Sequence, residues 1–131
     1  MLEQGALRAA MRSNRTALLA ELGKNLAACE SLQHKMDLAA YRKLDHHFHR
    51  IFVEHANNPY LSEMHRIITT KVLAMRNRLT FSQEYVLNSI AEHAAIVRAL
   101  MGDDVDTACA IVRSHIHSGF TERARRLLSQ Q

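Results

Sequence analysis

Apolar side chains recur every three or four residues through six stretches of this chain. That is the period of an α-helix with one face against a core, and it leaves little room for strands. The first stretch, Leu2 to Met11, is short and begins abruptly, as though part of a helix or a whole domain preceded it. Ser13 or Asn14 is placed to cap a second helix running to about Lys35, with Leu18, Leu19, Leu22, Leu26 and Leu32 apolar. Asp37 caps a third, through Tyr41, Leu44, Phe48 and Phe52 to about Ala56. Asn57-Asn58-Pro59 then ends one helix and starts the next, with Asn58 as cap and Pro59 in the first turn. The fourth carries Leu61, Met64, Ile68, Val72, Met75 and Leu79. Ser82 opens a fifth, with Val86, Ile90, Val97 and Leu100, and Gly102 closes it. Asp103 or Asp104 caps the last, Val105 to about Leu128. About six amphipathic helices on short loops predict an all-α, antiparallel bundle, a single domain over residues 1–131.

Composition agrees. Four glycines and one proline in 131 residues are too few for the turns of an all-β domain. With 47% hydrophobic and 23% charged residues the chain is not of the disordered class. No apolar run approaches the roughly 18 residues that span a bilayer, and no basic stretch precedes an apolar core at the start, so a cytoplasmic domain without a membrane partner is expected. The net charge is +4, but the cations are scattered apart from Arg123, Arg125 and Arg126. Three tyrosines, four phenylalanines and no tryptophan offer little for stacking on bases, so a solvated basic face is the simpler account and DNA binding by this segment ranks last. Cys29 and Cys109 lack metal or redox spacing and are expected to pack as small apolar side chains.

Nine histidines are the unusual number. At about 100° per residue, Leu38, Tyr41, Phe48 and Phe52 lie within roughly 60° of Asp45, which puts a carboxylate in the middle of an apolar stripe. His49 lies about 40° round and one turn on, whereas His46 falls on the flank and His47 faces water. On the fifth helix, Val86, Ile90, Ile96, Val97 and Leu100 surround His93 within roughly 60°. Around His115 on the last helix the near neighbours are Ala108, Ile111, Val112 and Gly119, and His117 points away. Four polar residues therefore occupy core-facing positions on three helices, where a lone charge is costly. A divalent transition metal would explain all four together, because imidazole and carboxylate suit zinc, nickel, manganese and iron, and a bundle can aim them at one point. Hydrogen-bonded core histidines, or an Asp45–arginine pair, are the ordinary alternatives.

The same residues carry a resemblance. Leu44-Asp45-His46-His47-Phe48-His49-Arg50-Ile51-Phe52, followed by Ala56-Asn57-Asn58-Pro59-Tyr60-Leu61, resembles the D-x-x-F-H … N-P-x-L signature of the FadR C-terminal (FCD) domain of GntR-family transcription regulators. Glu92-His93-Ala94-Ala95-Ile96-Val97-Arg98-Ala99-Leu100, then Gly102-Asp103 and Ala108, is similar to its E-H-x-x-I-x-x-A-I … G-D … A junction, and Ser114-His115-Ile116 to its closing x-H-L motif. The resemblance covers essentially the whole chain. It implies an all-helical effector-binding domain that holds a metal, most often zinc, on Asp45, His49, His93 and His115 with a small organic acid beside it. It also implies a homodimer, and DNA contact only through an N-terminal winged helix-turn-helix domain that is absent from this chain.

A carboxylate effector favours a guanidinium partner. Arg76 and Arg78 lie at roughly +80° and −80° from the Ile68 line, so at most one leans inward, and a solvated or salt-bridged flank accounts for either alone. These two and Asn88 are the candidate ligand-binding residues. The rival class is a metal-dependent hydrolase or lyase using the same Asp and three His. Against it, the chain has no His-Glu-x-x-His, no Glu-x-x-His and no carboxylate placed as an obvious general base, so no catalytic residue is assigned and a non-enzyme is expected.

Overall fold

A computed structural model describes residues 2–76 and 82–129, apart from the side chains of residues 72–76, 120, 123, 124, 126 and 127. Six helices follow in order: α1 (Leu2–Ser13), α2 (Arg15–Ser31), α3 (Leu38–Glu54), α4 (Pro59–Arg76), α5 (Gln83–Met101) and α6 (Val105–Ser129). No described helix is long and apolar enough to cross a membrane.

Local chemistry sets the helix ends. Asp37 accepts from the Ala40 amide at 3.1 Å and Ser82 from the Tyr85 amide at 3.1 Å, capping α3 and α5 as their sequence predicts. Asn58 accepts from the Tyr60 amide at 3.0 Å, with Pro59 supplying the first turn of α4. Of the two candidates before α6, Asp104 is the cap: its carboxylate accepts from the Thr107 amide at 3.1 Å. Asp103 instead takes the left-handed conformation, φ 57°, that ends α5. Gly102 is the C-cap that closes α5, as the sequence reads, but with φ −87° it leaves the left-handed turn to the next residue. A short polar side chain tolerates the left-handed region well enough to serve, and Asn57, φ 55°, does the same after α3.

Two expectations are corrected. The α2 helix stops at Ser31 rather than near Lys35, because the Ser31 hydroxyl donates back to the Ala28 carbonyl and the chain tightens into i→i+3 bonds at Leu32 and Gln33. Neither Ser13 nor Asn14 caps α2 with its side chain. Both donate to the His55 carbonyl, at 3.1 and 3.0 Å, and so tie the α1–α2 turn to the end of α3.

The core lies among α1, α2, α3, α5 and α6. Leu7, Leu18, Leu22, Phe48, Phe52, Ile96, Leu100 and Val112 are fully buried in one cluster, each contributing about 1.5–3 kcal/mol by leaving water. A second cluster joins Cys29, Tyr41, Val86 and Ile90 at the other end. Both cysteines are buried and free, as expected.

The α4 helix is the exception. It packs on α3 and α1, but Tyr60, Met64, Ile67 and Ile68 remain exposed, at 80%, 53%, 46% and 48%. The sequence placed Met64 and Ile68 in a core-facing stripe. The face turned inward instead carries Leu61 and His65, about 40° apart, and His65 is buried.

Candidate metal centre

Three helices bring the four predicted polar residues to one point. Asp45 and His49 project one turn apart from α3, His93 comes from the middle of α5, and His115 from α6. Each backbone segment is helical for ordinary reasons, and on α3 and α5 the flanking Tyr41, Phe48, Phe52, Ile90, Ile96 and Val97 are buried. The polar residue in each stripe is carried inward with its neighbours. His93 is fully buried, Asp45 is 5% and His115 6% exposed, and His49 closes the more open side.

One donor atom from each residue lies within 4.8 Å of the others. His93 Nε2 is 3.2 Å from Asp45 Oδ1, and His115 Nε2 is 3.2 Å from both His49 Nε2 and His93 Nε2. Asp45 Oδ1 stands 3.5 Å from His49 Nε2 and 3.8 Å from His115 Nε2. Two donors about 2.1 Å from a shared ion would lie roughly 3.0 Å apart at a right angle and roughly 3.4 Å apart at the tetrahedral angle. Three of these edges, at 3.2 Å, fall between those two values and the 3.5 and 3.8 Å edges exceed the tetrahedral one, so a first-row divalent ion fits once the wider edges close slightly.

The far side of each ring supports the same tautomer. A histidine that presents a lone pair at Nε2 carries its proton on Nδ1. His49 Nδ1 faces the Glu3 carboxylate of α1, and His115 Nδ1 faces Glu92 Oε1 at 3.3 Å. Both contacts are of the carboxylate–histidine kind that orients metal ligands. His93 is held differently: its ring lies flat against Phe48, centroids 3.9 Å apart, and its buried Nδ1 has no hydrogen-bond partner among the described residues.

Charge follows the geometry. Burial opposes charging His49, but the Glu3 and Asp45 carboxylates outweigh it and hold its pKa at about 10. Glu3 is lowered in turn, burial notwithstanding, by the His49 charge. His115 is raised against its burial by Asp45 and Glu92. Burial drives His93 down to about 4 in spite of Asp45. Protons on the cluster thus balance the acidic groups, a job a cation would do in their place.

The fold and this geometry together match a known domain. Residues 1–118 match the FCD domain. The chain belongs to the FCD domain family. This FCD domain is 30% identical over 84 residues to the HTH-type transcriptional repressor NanR of Enterobacter sp. (strain 638). The aligned stretch covers 63% of this chain and 32% of that repressor, so the match spans about a third of its relative's length. Its fold matches the metal-free FCD domain of TM0439 with a TM-score of 0.75 at 16% identity, over 96% of this chain and 89% of that one. Membership of this family favours a regulatory domain over a metal-dependent hydrolase or lyase.

Of the remaining candidates only Asn88 has a described side chain. Arg76 ends α4 with its side chain outside the described residues, and Arg78 lies outside them altogether. Asn88, a candidate ligand-binding residue, is exposed on α5, about 140° round the helix from buried His93. Glu92 had a sequence signal, since it precedes a ligand and shares its helix. Glu3 and His65 were not singled out.

Proposed function

We propose that this chain is the effector-sensing domain of a GntR/FadR-type transcription regulator. In this reading it holds a divalent transition metal, zinc before nickel, manganese or iron, and a small carboxylate whose binding modulates an attached DNA-binding domain. The observation that carries the reading is the convergence of three Nε2 atoms and one carboxylate oxygen from three helices, with Glu3 and Glu92 behind two of the rings. Asp45, His49, His93 and His115 would be the protein ligands. A cation held there supplies a Lewis acid whose remaining positions an anion can fill.

The protein residues do the rest. Glu3 and Glu92 keep protons on Nδ1, Phe48 fixes the His93 plane, and the surrounding apolar core excludes water, which strengthens every charge interaction inside. Because the ligands come from α3, α5 and α6, an anion bound among them favours one mutual placement of these helices, and that preference is what an attached domain can sense. The regulator is read as cytoplasmic and as a homodimer. The exposed apolar face of α4, Tyr60, Met64, Ile67 and Ile68, supports the dimer as a surface larger than scattered single residues. DNA is reached through a separate winged helix-turn-helix domain.

The test is calorimetric titration of small organic acids into zinc-loaded and chelated protein. The reading predicts binding to the loaded form that is lost on chelation, and equal binding to both would remove the metal from effector recognition.

A further inference from the structure

We propose that Glu3 is a positioning residue of the metal centre, which makes the seating of α1 part of the metal-binding equilibrium. The inference rests on reading Asp45, His49, His93 and His115 as metal ligands. It extends the centre to a helix that contributes none of them.

The His49 ring has two handles. Its Nε2 enters the cluster, 3.2 Å from His115 Nε2 and 3.5 Å from Asp45 Oδ1, and its Nδ1 meets Glu3, forty-six residues away in sequence. His93 is clamped by a stacked Phe48, and His115 is backed by a carboxylate from the neighbouring α5. His49 meets Phe48 and Phe52 only edge-on, at 5.6 and 5.9 Å between centroids. Its plane lies near-parallel to the His115 ring, at 11° and 5.1 Å between centroids, and the contact that fixes its tautomer is the one with Glu3.

Glu3 is held in turn by the packing of α1. Leu7 and Ala10, four and seven residues on, share its helix face and are fully buried. The carboxylate thus extends the apolar stripe of α1, the same local anomaly that marks the four ligands. His65 of α4 is buried nearby, its Nε2 without a hydrogen-bond partner among the described residues, and it feels the Glu3 charge. Helices α1, α3 and α4 meet at this one acid. Linkage makes the effect reciprocal: whatever draws α1 from the bundle weakens the hold on the metal, and pinning His49 from its Nε2 side holds α1.

The experiment is a zinc competition titration of wild type and Glu3→Gln against a chromophoric chelator, with amide hydrogen exchange of residues 2–13 measured with and without zinc. Expected is one zinc per chain in both proteins, bound 10- to 100-fold more weakly by the variant at unchanged helical circular dichroism. Zinc should slow exchange in α1 of wild type, and at saturation should do so less in Glu3→Gln. A purely structural role for Glu3 would leave the zinc affinity of the folded variant unmoved. Equal affinities, or equal slowing of α1 in both proteins, would overturn the proposal. If Glu3→Gln does not fold, the wild-type exchange decides, and an α1 indifferent to zinc overturns it. Wild type that binds no zinc fails the metal reading and this inference together, whereas wild type and variant that bind zinc alike sink the coupling alone.

Discussion

The His93 imidazole and the Phe48 ring are parallel to within 4° and 3.9 Å apart. Packing therefore does for His93 what a carboxylate does for His49 and His115. Phe48→Ala should lower stability by about 3–5 kcal/mol through lost transfer energy and a cavity. It should also weaken zinc binding, since His93 loses the surface that fixes its plane. Chemical denaturation of the chelated protein and a zinc titration check the two halves separately.

The pH dependence of zinc binding has a definite sign. Without metal, His49 keeps its proton until about pH 10, yet as a ligand it must be neutral. Zinc binding at pH 7 to 9 should therefore release about one proton, and affinity should rise with pH through that window. Calorimetry in buffers of different ionisation enthalpy measures the release. Zinc uptake without proton release would contradict it.

Acid should act on the metal-free fold through His93. Its folded pKa of about 4 lies below the ordinary value of 6.5, so the unfolded chain binds the extra proton between these limits. Stability from this group is thus lost as pH falls from about 6.5 toward 4. His49 and His115, both raised, act in the opposite sense, so the His93 share is read as a difference: between pH 7 and pH 5 chelated wild type should fare worse in urea titrations than His93→Gln does.

At the other end of the core, the Tyr41 hydroxyl donates to Ser89 Oγ at 2.5 Å, both residues being buried. Removing the Tyr41 hydroxyl takes this bond from the buried Ser89 Oγ, a cost of about 1–3 kcal/mol. The double variant Tyr41→Phe, Ser89→Ala should cost less than the sum of the two singles. Strict additivity in denaturation would show that the pair is not coupled.

The exposed stripe of α4 makes an opposite pair of claims. Met64→Lys and Ile68→Lys should leave the fold of one chain nearly unchanged, within about 0.5 kcal/mol, because neither side chain is buried. In sedimentation experiments they should shift a dimeric wild type toward monomer. Variants that sediment as wild type would take the dimer contact away from this face.

What could be read beforehand, and what could not, divides along one physical line. Asp45, His93 and His115 each interrupt an apolar stripe of their own helix, and His49 sits one turn from Asp45, so local periodicity alone finds all four. The caps Asp37, Asn58 and Ser82 are equally local. Glu3 carries the same local mark on α1, but its partner does not: that it meets His49 depends on α1 packing on α3, a contact between distant segments that no spacing within α1 encodes. The α4 stripe misled for the complementary reason. Its period is genuine, but periodicity says only that a face is apolar, and what covers Met64 and Ile68 is not an element of this chain's described fold. Arg76 and Arg78 rested on angles from that same stripe.

The most direct measurement is elemental analysis of the purified domain after loading with zinc and desalting, with wild type beside Asp45→Ala and His115→Ala. The account predicts one metal ion per wild-type chain and none retained by either variant. Metal content equal in all three proteins, or absent from a folded wild type, would contradict it.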